Sequence, residues 1–182
     1  MRIIKGRHAN RTLTSPGRGV RPTTETTRAR VLELLADELK GARVLDLFAG
    51  SGAVGLEAVS RGAKFADFVE NGPGALHALK ANVAALRETK RCRIYKRDAI
   101  PFSEALKKDA YDIAFADPPY ASKKLDRVLD HWNATHFAGI LILEHKNDRT
   151  ISAPEKKQYD FEGDTRVTIL RAKKKPAREA AG

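Results

Sequence analysis

Short apolar runs alternate with segments of helical periodicity along most of this chain, and that alternation limits the fold more than any other feature. The runs are Ala42 to Phe48, Phe65 to Glu70, Ile94 to about Asp98, Tyr111 to Ala116 and Ile140 to Glu144. Between them apolar residues recur three or four apart: Val31, Leu32, Leu35 and Leu39 before Gly41; Leu76, Leu79, Val83 and Leu86 after Pro73; then Leu125, Val128 and Leu129. A glycine turn leads into a short helix from about Ala53 to Arg61. Brief runs bounded by turn residues suit strands, and the longer spacing suits helices with one buried stripe. At Arg21-Pro22-Thr23-Thr24 the proline disfavours helix before it and a threonine can cap the helix that follows. Tyr159, Phe161 and Val167 to Leu170, around Gly163-Asp164, read as a terminal hairpin. Strands alternating with helices predict a mainly parallel sheet of seven strands with helices on both faces, ending in an antiparallel hairpin.

Ligands of such sheets bind at the carboxyl ends of the strands. Asp46, Glu70, Asp98 and Asp117 each fall at such an end. One acidic strand end is unremarkable, but four in succession point to a site.

The first strand runs into Gly50-Ser51-Gly52-Ala53-Val54-Gly55, which matches the dinucleotide fingerprint, with Glu70 near the place of a ribose-binding carboxylate. A nicotinamide or flavin enzyme therefore has to be weighed. Asp46 decides against it. A dinucleotide brings a pyrophosphate to this loop, which a nearby carboxylate repels. S-adenosylmethionine has no phosphate and brings an ammonium and a sulfonium, which a carboxylate favours. Asp98 agrees, since an adenine amine can donate to it.

Composition bounds the rest. With 182 residues, 42% hydrophobic and 31% charged, the chain is expected to be soluble and globular, and its apolar stretches are too short to span a bilayer. No apolar run follows the basic start Met1 to Arg7, so no signal peptide is evident, and the cytoplasm is the expected compartment. The single cysteine, Cys92, rules out an internal disulfide or a multi-cysteine metal site and reads as a buried thiol. The net charge of +11 is uneven: residues 1–30 carry eight Lys/Arg against Glu25, and residues 171–182 carry five against Glu179. The middle of the chain is neutral. Basic ends on a neutral body suggest a polyanionic partner held through phosphates. Ile3, Ile4, Leu13 and Val20 interleave with the N-terminal arginines, as in a structured arm. The expected division is a basic arm over 1–22, a catalytic domain over 23–172 and a basic, disordered tail over 173–182.

Asp46-Leu47-Phe48-Ala49-Gly50-Ser51-Gly52 resembles the first motif of class I S-adenosylmethionine-dependent methyltransferases, a Rossmann-like fold. The resemblance implies that this loop approaches the methionine portion of the cofactor. Glu70 would accept from the ribose hydroxyls with Asn71 beside it, Asp98 would recognise the adenine amine, and Ala99 would add backbone contacts. Asp117-Pro118-Pro119-Tyr120 resembles the tetrapeptide of amino-methyltransferases acting on adenine N6, guanine N2 or glutamine amides. At about 5% usage per residue, such a tetrapeptide arises by chance in roughly one chain of this length in a thousand. An exocyclic amine is a poor nucleophile because its lone pair is delocalised into the ring. Asp117 and the Pro118 carbonyl can each accept one of its N–H groups, aiming the lone pair at the methyl group. The prolines hold that carbonyl rigidly, and Tyr120 offers a stacking face for an extruded base.

Over residues 1–170 the chain resembles the RsmD family, bacterial small-subunit ribosomal RNA guanine-N2 methyltransferases. The resemblance rests on the Arg-Ile-Ile-x-Gly start, the basic segment, Arg21-Pro22-Thr23-Thr24, the glycine loop and the tetrapeptide. It implies methylation of one guanine N2 in 16S ribosomal RNA, on an assembled or nearly assembled 30S particle, by a monomer that needs no metal. Arg21, Thr23, Thr24 and Arg28 would lie over the methionine end or the RNA, and Arg7, His8 and Arg11 would meet phosphate. The chain departs from the family's usual pattern at Thr26, Ala29 and Leu32, and lacks an Arg-Gly-Arg between Lys5 and Leu13. A DNA adenine-N6 methyltransferase, a glutamine-amide methyltransferase and a non-catalytic assembly factor are the alternatives. The chain is short for a separate DNA-recognition domain, the basic ends would serve no purpose on a glutamine amide, and a lapsed enzyme has no reason to keep Asp117 and Tyr120.

Overall fold

A computed structural model describes residues 1–15, 24–119, 123–153, 156–161 and 163–172. Seven strands form one sheet: β1 (Arg43–Leu47), β2 (Phe65–Glu70), β3 (Cys92–Lys96), β4 (Tyr111–Ala116), β5 (Ala138–Lys146), β6 (Lys156–Asp160) and β7 (Thr165–Arg171). Their order is β3-β2-β1-β4-β5-β7-β6. The first five strands in that order run parallel, and β7 pairs antiparallel with both β5 and β6. The mainly parallel sheet with a C-terminal hairpin is as the alternation predicts. Chain order reverses between β1 and β4, which makes the carboxyl ends of those two strands the ligand crevice.

Side-chain alternation along the strands divides the interior into two layers. Val44, Phe68, Ile113, Phe115 and Ile142 face one side. Leu45, Leu47, Val69, Ala114, Leu141 and Leu143 face the other, with Trp132 and Phe137. Helices α1 (Glu25–Glu33), α2 (Ala36–Leu39), α3 (Ala53–Ser60) and α4 (Pro73–Ala85) cover the first layer, and α5 (Ala99–Glu104) and α6 (Lys124–Thr135) the second. Pro73 stands in the first turn of α4, where no N–H is needed.

Two elements differ from the sequence reading. The single helix expected up to Gly41 is broken at Leu34–Leu35, where Leu35 leaves helical geometry at φ −115° and ψ 17°. Val31, Leu32, Leu35 and Leu39 stay buried all the same, and Leu34 is left 40% exposed, so the break lets both pieces face the core. Helix α5 lies where no helix was read. Its signal was Asp98, whose carboxylate accepts from the Ile100 N–H as an N-cap, followed by Pro101.

The N-terminal segment is docked, not loose. Ile3 and Leu13 are buried in the first core layer. Glu57 on α3, wholly inaccessible, accepts from the Ile4 and Lys5 N–H groups at 2.8 and 2.9 Å and from Arg61 Nε at 3.0 Å. Gly6 has φ +87°, and a Cβ there would sit 2.0 Å from the Ser60 carbonyl oxygen, so only glycine passes this crossing. Asn82 accepts from Thr14 N–H at 2.7 Å and donates to the Thr14 carbonyl at 3.0 Å and the Ser51 carbonyl at 2.9 Å. The arm's cations are also engaged: Arg2 pairs with Glu25, Lys5 with Glu33, and Arg7 with Glu88. The expected tail over 173–182 lies outside the described residues.

Candidate active site

At the switch point between β1 and β4 a cavity of about 650 Å³ opens, a size suited to a small organic ligand. Asp46, Phe48, Ala49, Gly50, Ser51, Glu70 and Asn71 line one part of it, and Asp117, Pro118 and Pro119 another. Residues separated by seventy positions in sequence thus share one chamber, as successive strand ends require.

The loop after β1 turns through left-handed backbone. Phe48, Gly50 and Gly52 all have positive φ, at 62°, 56° and 78°. A Cβ at Gly52 would meet Leu79 Cδ1 at 2.3 Å, so glycine is needed there both for conformation and for space. Glu70 fastens the loop to its neighbour: one carboxylate oxygen accepts from Gly50 N–H at 2.8 Å, the other from Asn71 and Gly72 N–H at 2.8 and 2.7 Å. A carboxylate has about four acceptor positions, so capacity remains on Glu70 for a further donor.

Asp46 is buried and accepts from Gly55 N–H at 3.0 Å. Burial, with the charge of Glu70, pushes its carboxyl up to about 7, against the opposing pull of the Gly55 N–H. A cation entering the cavity would reverse that shift. Arg28 lines the same cavity and is only 1% exposed. Its Nη2 donates to the Arg2 carbonyl at 2.5 Å, while Nε stands 3.6 Å from Glu57 and, with Nη1, has no hydrogen bond among the described residues. Burial holds this guanidinium below the usual arginine range.

The structure places the remaining expected residues as follows. Gly52 is the N-cap of α3, behind the cavity wall. Thr24 caps α1, its Oγ1 accepting from Thr27 N–H at 3.1 Å, so the cavity is lined by Thr27 instead. Arg28, expected over the methionine end of the cofactor or the RNA, stands buried in the cavity wall. Asp98 and Ala99 do not line the cavity; Asp98 sits beyond Lys124, whose Nζ is 3.5 Å from Asp98 Oδ2. The N–H of Ile100 holds the Asp98 carboxyl below the usual range. Arg7 and Arg11 lie away from the cavity on the arm, Arg11 donating to the Ala85 carbonyl at 3.2 Å. Tyr120, Arg21 and Thr23 lie outside the described residues.

Sequence reasoning missed Thr27, Lys124 and Glu144, which line the cavity, and the two buried residues Glu57 and Asn82. Glu144 had a signal: it lies near the carboxyl end of β5 and extends the row of acidic strand ends to a fifth strand. Glu57 and Asn82 had none, since a polar residue on a helix reads as solvated until its partners are known.

The family described as "Conserved hypothetical protein 95" matches residues 1–169. The chain belongs to the RsmD methyltransferase family. It is 34% identical to YlbH of Bacillus subtilis (strain 168) over 161 residues, covering 85% of this chain and 86% of that one. It is 31% identical to a protein of Buchnera aphidicola subsp. Acyrthosiphon pisum named ribosomal RNA small subunit methyltransferase D, over 75% of this chain and 72% of the relative. The solved structure of yhhF from Escherichia coli superposes with a TM-score of 0.80 at 30% identity, covering 94% of this chain and 97% of that one. The fold is that of the Rossmann-like class I methyltransferases.

Proposed function

We propose that this RsmD-family protein transfers a methyl group from S-adenosylmethionine to the exocyclic N2 of a guanine in small-subunit ribosomal RNA, in an assembled or late-assembly 30S particle. One observation carries the reading: Asp117-Pro118-Pro119 and the Asp46 glycine loop line a single cavity at the switch point. The relative named ribosomal RNA small subunit methyltransferase D supports the choice of RNA.

The residues present fit the cofactor. Asp46 suits its ammonium. Arg28, with two buried donors that have no hydrogen bond among the described residues, suits its carboxylate. Glu70 has acceptor capacity for a ribose hydroxyl. Bound there, S-adenosylmethionine supplies a methyl group on a cationic sulfur. Asp117 accepts one N–H of the guanine amine and the Pro118 carbonyl the other, turning the nitrogen lone pair along the transfer axis. Pro118 and Pro119 have fixed φ and no N–H, so this acceptor pair is rigid and meets no competing backbone donor. Asp117 is also the carboxylate placed to receive the proton as the amine becomes methylated.

The reading is tested by methyl transfer from isotope-labelled S-adenosylmethionine to unmodified small ribosomal subunits, with naked ribosomal RNA and duplex DNA as competitors. Nucleoside mass spectrometry identifies the product. Label in N2-methylguanosine from the particle is expected. Label in N6-methyladenine of the DNA, or in no nucleic acid, rejects the proposal.

A further inference from the structure

The amino-acid end of S-adenosylmethionine is a zwitterion, so its site needs a cation for the carboxylate as well as an anion for the ammonium. Anions are plentiful in the chamber, where Asp46, Glu70, Asp117 and Glu144 line the wall. Two cations line it among the described residues, Arg28 and Lys124. Lys124 lies 3.5 Å from Asp98 and above the Phe48 ring. Arg28 remains, sealed in the wall at 1% exposure.

The three nitrogens of its guanidinium are differently engaged. Nη2 donates to the Arg2 carbonyl at 2.5 Å. Nε faces Glu57 Oε2 at 3.6 Å, an ion-pair distance too long for a hydrogen bond. Nη1 has no acceptor among the described residues. A buried donor left in that state is costly until a ligand supplies the acceptor. Both groups that hold Arg28 are themselves fixed. Glu57 takes the Ile4 and Lys5 N–H groups and Arg61 Nε, and the Arg2 N–H donates to Glu25 Oε1 at 2.7 Å. Glu25 and Arg28 stand one turn apart on α1, so that helix grips the Arg2 peptide from both sides. Burial works against the charge of Arg28, and the Glu57 carboxylate is the largest influence opposing it.

We propose that Glu57 is a positioning residue for the cofactor: together with the Arg2 carbonyl it fixes the Arg28 guanidinium so that Nη1 meets the cofactor's carboxylate. The proposal rests on the methyl-transfer reading above. It gives the docked N-terminal segment a share in cofactor binding that involves no contact with the ligand, because the segment supplies one of the two groups that aim the arginine.

The test is calorimetric binding of two ligands to the full chain: S-adenosylhomocysteine, and its decarboxylated analogue, which keeps the adenosine, the thioether and the ammonium. Arg28→Gln is expected to weaken S-adenosylhomocysteine by about ten- to a hundredfold, the scale for losing a hydrogen bond between charged groups. The same variant is expected to hold the analogue as well as wild type or better, since a cation has left the wall. Glu57→Gln keeps the size of the side chain and removes its charge. It is expected to show the same selective loss in smaller measure, whereas a purely structural role would weaken both ligands alike. Glu25→Ala loosens the Arg2 peptide from the surface without emptying a buried site, and a selective loss is expected there too. Glu57→Gln and Glu25→Ala proteins that keep the wild-type ratio of the two affinities, or that lose both ligands equally, overturn the proposal. An Arg28→Gln protein with that ratio unchanged does the same, and in each case the methyl-transfer reading stands. A wild-type chain that binds neither ligand rejects that reading, and this proposal with it.

Discussion

At the scale of single residues, the proposed function gives Asp46 and Asp117, which share one chamber, separable duties. Asp117→Ala is expected to lower turnover by more than about a hundredfold, the scale for losing a positioned proton acceptor, with S-adenosylhomocysteine affinity nearly unchanged. A tenfold or larger loss of affinity in the same variant would show that Asp117 serves the cofactor. Asp46 makes a pH signature. Its carboxyl titrates at about 7, well above the ordinary 3.8, because it is buried beside Glu70. The folded chain therefore binds that proton more tightly than the unfolded chain does. Its contribution to stability is full below about pH 4 and is lost as the pH rises through about 7. A ligand ammonium pairs with the ionised form of Asp46, so its binding has the opposite dependence. S-adenosylhomocysteine affinity is expected to rise about tenfold per pH unit up to about pH 7, then level off. Calorimetric titration across that range tests it: a flat wild-type profile sinks the assignment, and Asp46→Asn is expected to bind weakly with the slope removed.

Among elements, the decisive relation is between α3 and the N-terminal segment. The chain's periodicity made most strands and helices legible, because each apolar run or stripe is a local record of which side faces the core. The acidic strand ends were legible too, since the alternation that sets the sheet also sets where its ligands bind. What stayed hidden depends on distant partners. Glu57 is four residues from Arg61 on α3, a spacing that reads as an ordinary surface pair. In the fold it is wholly buried and takes the Ile4 and Lys5 N–H groups, with Arg28 at 3.6 Å. Replacing Glu57 by alanine removes the acceptor of Arg61 Nε and of two backbone donors, and the carboxylate that faces the buried Arg28. A loss of about 3–5 kcal/mol is expected from urea unfolding, the scale for breaking a buried ion pair from one side. The same variant is expected to become sensitive to protease within its first fifteen residues. Protection equal to wild type there would mean that other contacts dock the arm.

For the molecule as a whole, the charge distribution that the sequence displays as basic ends is reshaped by folding. Arg2, Lys5, Arg7 and Arg28 turn toward carboxylates of the body, so part of the arm's charge serves its own docking. Fewer cations are left for phosphate than the composition suggests. The KM for small ribosomal subunits is still expected to rise with salt while kcat stays level, because charge contacts of this kind act on encounter and binding. A kcat that falls in parallel would place the salt-sensitive contact in the transition state. The docking of the arm also sets a calendar for synthesis. The backbone N–H groups of residues 4, 5, 8 and 14 are held by Glu57, Ser60 and Asn82, all made later. A nascent chain emerging from a ribosome therefore holds out a bare cationic strip until α3 and α4 have followed it. That segment leaves the tunnel ahead of the helices it docks on, so it cannot take its place until they have been made.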